Sequence, residues 1–141
     1  MIQVISAFFI AAKAHRGQRD KAGRCYFWHP IAVASCVQSK DAKVVALLHD
    51  VFEDSDLNIA DLSFLSDKQK DALTRLTRSG DSHYFSYIQG IQFNDLAREV
   101  KLCDLKHNMD LSRLKQVSQA DLLRTEKYRK AVEILETSKL A

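Results

Sequence analysis

Asn94-Asp95-Leu96-Ala97-Arg98-Glu99-Val100-Lys101-Leu102-Cys103-Asp104-Leu105-Lys106-His107 places Leu96, Val100 and Cys103 four and three residues apart. That is the spacing of one face of an α-helix, and a strand would split these positions between its two faces. The stretch predicts a long helix, capped by Asn94 and running through Leu96, Val100, Cys103 and His107. One carboxylate, Asp104, stands in its mostly apolar second half.

The same period extends outward on both sides. Ser66 and Gln69 read as a capping box opening a helix that runs toward Gly80, and a short amphipathic piece follows around Tyr84 to Ile91. Asp41 reads as the N-cap of a helix carrying Val45, Leu48 and Phe52, ended by the acidic stretch Glu53 to Asp56. Pro30 fits the first turn of a helix ending near Gln38. In the first segment Ile5, Phe8, Phe9, Ala12 and His15 are expected to form one buried stripe. Ser118 starts the last helix, with Tyr128, Ala131, Val132 and Leu135 on one face. No segment alternates with period two, so the fold class is all-α, a compact orthogonal bundle rather than a coiled coil.

Composition agrees. A chain of 141 residues, 46% hydrophobic and 28% charged, predicts one domain over residues 1–141 with a core of its own. One proline and four glycines are too few for the turns of a β-sandwich or barrel. A net charge of +3 does not make a nucleic-acid binder by bulk electrostatics. The apolar run Val4 to Ala12 is too short to span a bilayer and has no basic residue ahead of it. The expectation is a cytoplasmic protein acting on neither membrane nor nucleic acid. Cys25, Cys36 and Cys103 are odd in number and far apart, which fits a reducing compartment without disulfides; Cys36 and Cys103 are expected as small core hydrophobes.

The chemistry gathers around His49 and Asp50, within Ala46-Leu47-Leu48-His49-Asp50-Val51-Phe52-Glu53-Asp54. Neighbours on a helix diverge by about 100°, but near a helix end both side chains can converge on one divalent ion. Alone, the pair reads as a helix-terminal polar pair rather than a metal site. His29, between Trp28 and Pro30, and Asp104 add an imidazole and a carboxylate in apolar settings on other helices. Buried polar groups need partners, and a shared cation supplies one for all four. Glu53 and Asp54 follow directly, as a solvated acidic loop or as proton acceptors. Arg16, Arg19, Lys21 and Arg24 crowd one loop, as a solvated face or as a clamp for phosphate oxygens. His15 and His107 read as structural residues that orient loops, and His83 as a surface residue; Tyr84 and Tyr87 read as core or as pocket lining.

Three blocks in order resemble a known family: Ala14-His15-Arg16-Gly17-Gln18 with Tyr26-Phe27-Trp28-His29-Pro30, then Leu47 to Asp54, then Val100 to Met109. Together they are similar to HD-domain phosphohydrolases, and specifically to the hydrolase half of the RelA/SpoT family in its stand-alone form. The resemblance implies a compact HD-domain helical bundle. It implies one divalent metal, usually manganese (Mn2+), held by His29, His49, Asp50 and Asp104, with Glu53 and Asp54 handling the attacking water. It implies a nucleotide substrate carrying a 3′-diphosphate, as in ppGpp, with Lys21, Asn108 and Tyr128 as substrate contacts beside Arg16 and Arg19. The products would be the nucleotide and pyrophosphate. With no synthetase domain following, the chain is expected only to degrade the alarmone.

One loop departs from the family pattern Gly-Gln-x-Arg-Lys-Ser-Gly. Here it reads Gly17-Gln18-Arg19-Asp20-Lys21-Ala22-Gly23, with Asp20 in place of the arginine that packs on the base. The expected arrangement turns Asp20 to solvent, leaves the phosphates to Arg16, Arg19 or Lys21, and relaxes selectivity between guanine and adenine. The alternatives are an HD phosphohydrolase for another nucleotide and a catalytically silent HD-fold nucleotide-binding regulator. The pair Glu53 and Asp54 favours an enzyme over the silent binder.

Overall fold

A computed structural model describes residues 1–139, so the domain expected over 1–141 extends two residues beyond it. Eight α-helices follow in order: α1 (Ile2–Ala14), α2 (Trp28–Cys36), α3 (Lys40–Leu48), α4 (Val51–Asp54), α5 (Asp67–Leu76), α6 (Tyr84–Ile91), α7 (Asp95–Asn108) and α8 (Gln119–Lys139). Single 3₁₀ turns occupy Ile59–Asp61 and Leu111–Arg113. Among the described residues there is no strand, only an isolated bridge between Arg19 and Cys25. No described helix is long and apolar enough to cross a membrane.

The starts of the helices are set by side chains within reach of their own first turn. The Ser66 hydroxyl accepts from Gln69 N while the Gln69 side chain accepts from Ser66 N, the reciprocal box that opens α5. Asn94 accepts from Ala97 N at 2.8 Å to open α7. Ser118 and Asp121 exchange the same kind of bonds before α8. At α3 the cap is Ser39, not Asp41: its hydroxyl accepts from Ala42 N at 3.1 Å. Asp41 falls in the first turn, where its carboxylate accepts from Gln69 on α5.

Helix α3 is the axis of the core. Ala42, Val44, Val45, Ala46, Leu47 and Leu48 are all buried, and the second half of the helix, apolar all round from Val44 to Leu48, must be covered on every side. Helices α1, α2, α5 and α7 pack around it, and α8 closes over α6 and α7. Leu48, Leu73, Ile88, Ile91, Leu105 and Leu135 are fully enclosed, each worth about 1.5–3 kcal/mol relative to exposure.

Two expectations are overturned here. On α1 the buried residues are Ala7 and Ala11, followed by His15, whereas Ile5, Phe8 and Phe9 face solvent, Phe9 at 65% exposure. Small side chains let α1 lie close against α3, and that approach outweighs the larger apolar residues on the other face. The second concerns sulfur. Cys36 on α2 and Cys103 on α7 are joined in a disulfide, with Cα atoms 5.9 Å apart. They are half-buried partners across a helix pair instead of independent core residues, and Cys25 is free and exposed.

Candidate active site

Four elements meet at one buried point. His29 enters from the first turn of α2, His49 and Asp50 from the break between α3 and α4, and Asp104 from α7. The break arises because helix α3 ends at Leu48 while the His49 ring turns back, its Nδ1–H donating to Ala46 O at 2.6 Å. Asp50, at φ −102° and ψ −8°, then starts α4 in a new direction. This change of direction is what lets two adjacent side chains converge.

His29 Nε2 lies 2.8 Å from Asp104 Oδ1, and His49 Nε2 lies 3.4 Å from the same oxygen. Asp50 Oδ2 stands 3.2 Å from His49 Nε2 and 3.7 Å from His29 Nε2. His29, His49 and Asp104 each offer a ligand atom within 4.8 Å of the others, with Asp50 alongside. Both imidazoles are held through their far nitrogens: His49 Nδ1 by Ala46 O, and His29 Nδ1 by His107 Nδ1 at 2.7 Å. Each therefore presents Nε2 to the centre, the arrangement in which outer hydrogen bonds orient ligating histidines. His107, expected only to orient a loop, orients His29.

The residues fit a divalent cation. His49 Nε2 is buried without a hydrogen-bond partner, and a buried polar atom in that state calls for one. Two imidazole nitrogens with carboxylate oxygens suit a borderline-hard metal and leave positions open. Electrostatics points the same way. Burial opposes charging His49, yet the Asp50 and Asp104 carboxylates hold its pKa well above the usual histidine value. Burial likewise opposes the Asp104 charge, and Lys101 first, then the neighbouring His29 and His49 imidazoles, keep its pKa well below the carboxylate range. Asp50 is also lowered, chiefly by His49 against the effect of burial. Without a metal, Lys101 and a protonated His49 are the cations beside these two carboxylates, and a divalent ion would take the place of the His49 proton.

Two neighbours, Lys101 and Tyr26, had no functional reading from sequence, and a third, Asn108, was expected only as a substrate contact. Lys101 Nζ pairs with Asp104 Oδ2 at 2.8 Å and lies over the Tyr87 ring. The Tyr26 hydroxyl donates to Asp50 Oδ2, and burial followed by the Asp50 charge raises its pKa strongly. Asn108 Nδ2 donates to Asp104 Oδ1 at 3.1 Å, so it touches the Asp104 carboxylate as well as the cavity. A lysine three residues before Asp104 in an apolar stretch was a readable signal for Lys101. The contact of Tyr26 with Asp50 spans 24 residues and left no local trace.

Glu53 and Asp54 sit on α4, one turn past Asp50. Glu53 accepts from Arg78 N at 2.6 Å, and desolvation, with Asp50 and Asp54 adding, raises its pKa despite that bond. Asp54 Oδ2 is 3.4 Å from Gln18 Nε2 and 4.0 Å from His15 Nδ1. Buried His15 thus ties the end of α1 to α4, and His83 is exposed as expected.

A cavity of about 300 Å³ opens from the His29 side of the centre. Arg19, Lys21, Tyr26, Asn108 and Tyr128 line it, together with Arg113 and Arg124. Arg16 does not: it is exposed at the end of α1 and is absent from the lining. Tyr84 and Tyr87 also lie outside the lining; Tyr87 is tied to Leu76 O at 2.7 Å, and the Tyr84 ring stacks near Tyr128.

Asp20 corrects the expectation of a solvent-facing side chain. Gly17 and Gly23, at φ 80° and 81°, turn the loop in the left-handed region that glycine accepts. Inside that loop Asp20 Oδ1 accepts from Ala22 N and Arg24 N, both at 2.9 Å. Its Oδ2 pairs with Arg113 Nη1 at 3.4 Å, with the carboxyl side chain only 13% exposed. The backbone amides and Arg113 together supply what solvent would have supplied, so the carboxylate turns inward.

Comparison with known proteins agrees with this geometry. No family model matches the chain. It is 30% identical over 122 residues to a probable guanosine-3′,5′-bis(diphosphate) 3′-pyrophosphohydrolase of Synechocystis sp., covering 75% of this chain and 16% of that protein. It is 29% identical over 120 residues to the bifunctional (p)ppGpp synthase/hydrolase SpoT of Escherichia coli K12, covering 73% and 17%. The chain thus spans about a sixth of the length of the curated relatives it matches. A solved structure described as a metazoan ortholog of SpoT that hydrolyzes ppGpp superposes with a TM-score of 0.74, at 22% identity, over 98% of this chain and 85% of that one. The fold is therefore that of a SpoT-type hydrolase. The chain is an HD-domain, RelA/SpoT hydrolase-like protein, with its histidines and aspartates gathered as such a centre requires.

Proposed function

We propose that the chain removes the 3′-diphosphate of ppGpp-type alarmones, giving the nucleotide and pyrophosphate. One observation carries this reading: an oriented His29–His49–Asp104 group, with an unpartnered His49 Nε2, beside a cavity that His29 lines together with arginine and lysine. His29, His49, Asp50 and Asp104 would hold one divalent ion, which we assign as manganese. When bound, such an ion lowers the pKa of water and offsets phosphate charge. Arg19 and Lys21 reach the phosphates, Asn108 the ribose, and Tyr128 the nucleotide face. Glu53, with its raised pKa, and Asp54 stand one turn beyond the ligands, where a carboxylate can take the proton of the attacking water. That water adds to the phosphorus on the 3′ oxygen, the bond between them breaks, and the 3′ oxygen leaves with a proton. The same reading takes residues 1–141 as one catalytic unit working in the cytoplasm on a small nucleotide.

Purified protein with manganese and ppGpp, followed by ion-exchange chromatography, tests this. GDP and pyrophosphate in equal amounts, abolished by chelation and restored by manganese, are expected. Intact ppGpp after prolonged incubation with a metal-loaded protein would leave a nucleotide-binding regulator as the better reading.

A further inference from the structure

Helices α2 and α7 run antiparallel, and three contacts follow one another along the pair. His29 meets Asp104 and His107, Cys36 meets Cys103, and Gln38 N donates to Glu99 Oε1 at 2.9 Å. The disulfide therefore closes the same helix pair whose other end brings His29 to Asp104. Cys103 directly precedes Asp104, and Cys36 lies seven residues, or about two turns, beyond His29. Nothing else covalent joins these helices, which lie 67 residues apart in sequence at the cysteines. Both cysteines are half-buried, so a small thiol can reach the bond.

We propose that Cys36 and Cys103 form a reversible thiol–disulfide site that sets how firmly α2 is held to α7, and with it how tightly the His29–Asp104 end takes a divalent ion. Reduction by a small cytosolic-type thiol such as glutathione proceeds in two exchanges. A thiolate attacks one sulfur of the pair and the other cysteine leaves as a thiolate that takes up a proton. A second thiol then attacks the mixed disulfide, releasing the oxidised small disulfide and the second cysteine thiol. Two electrons pass from two small thiols to the protein disulfide, and the reverse reaction with the oxidised small disulfide restores it. In the reduced form α2 keeps its packing and the Gln38–Glu99 bond but loses its covalent tie to α7, so α2 can shift further on α7 and the ligand set is less preorganised. The metal arm of this inference rests on the proposed metal centre; the thiol site itself does not.

The whole protein is equilibrated in glutathione buffers of graded redox ratio, and the Cys36–Cys103 peptide pair is followed by mass spectrometry. Manganese affinity is measured by calorimetry, and thermal midpoints by calorimetric scanning, on oxidised and reduced forms. The pair should titrate reversibly, and reduction should weaken manganese by at least about fivefold, the lower end of typical coupling between sites. It should lower the midpoint by roughly 10 °C, the scale of opening so long a loop. Cys36→Ser and Cys103→Ser should each resemble the reduced form and ignore the buffer. Equal manganese affinity in both redox forms overturns the coupling. If neither form binds manganese, the metal reading falls instead, and the midpoint decides the thiol site alone. A redox-dependent midpoint in the wild type, absent from both serine variants, then supports it, and an unmoved midpoint overturns it.

Discussion

Lys101 Nζ lies 2.8 Å from Asp104 Oδ2, one turn back on α7, while Asp104 Oδ1 faces His29 and His49. The carboxylate is divided: one oxygen is neutralised by a buried ammonium and the other is turned to the proposed ligand point. Burial alone would lower the Lys101 pKa, yet the Asp104 charge holds it well above the usual lysine value. Removing one partner of a buried pair leaves the other uncompensated, at about 3 kcal/mol or more. Lys101→Met should therefore lower the unfolding free energy of the metal-free protein in urea by that order, and with it the midpoint, and manganese should recover part of the loss. An unchanged midpoint in the metal-free variant would mean that His29 and His49 suffice for Asp104.

Asp104→Ala removes the carboxylate oxygen shared by both imidazoles. Elemental analysis should show loss of stoichiometric manganese and no new activity. Full occupancy in this variant would contradict the proposed ligand set.

The proton-accepting role proposed for Glu53 predicts a pH dependence. Its pKa is raised from the ordinary 4.5, first by desolvation. A proton acceptor works in its charged form, so kcat should fall with acidification at a pH above the usual glutamate range. Glu53→Gln should keep metal and fold, lose about a hundredfold in kcat, and lose that acid limb. Asp54→Asn should behave similarly in rate. A pH–rate profile unaltered in shape by Glu53→Gln would assign the acid limb to another group.

Asp20 holds a loop and Arg113 at once. Asp20→Arg should thus raise KM for every nucleotide, because it opens the turn before it offers a cation to the base. Asp20→Asn keeps an acceptor for Ala22 N and Arg24 N and should be milder. In the unaltered protein no arginine at position 20 stacks on the base, a loss of about 0.5–2 kcal/mol. Catalytic efficiencies for ppGpp and ppApp should then agree within about tenfold. Competition assays with both nucleotides in one tube measure this; a hundredfold guanine preference would require a residue reading the base edge.

Sequence alone determined the all-helical architecture, the Ser66–Gln69 and Asn94 caps, and the loop bracketed by Gly17 and Gly23. These depend on side chains within four residues of the backbone they serve, so the information is local. The centre was legible too, because histidine and aspartate in apolar helix stretches are costly without a shared partner. Tertiary structure alone decided which face of α1 is buried, since Ala7 and Ala11 win only once α3 lies alongside. It decided that Cys36 meets Cys103 and that Tyr26 reaches Asp50. It turned Asp20 inward because Arg113, 93 residues away, arrives opposite it. Each of these pairs two groups distant along the chain, and only the packing of whole helices sets which distant groups become neighbours.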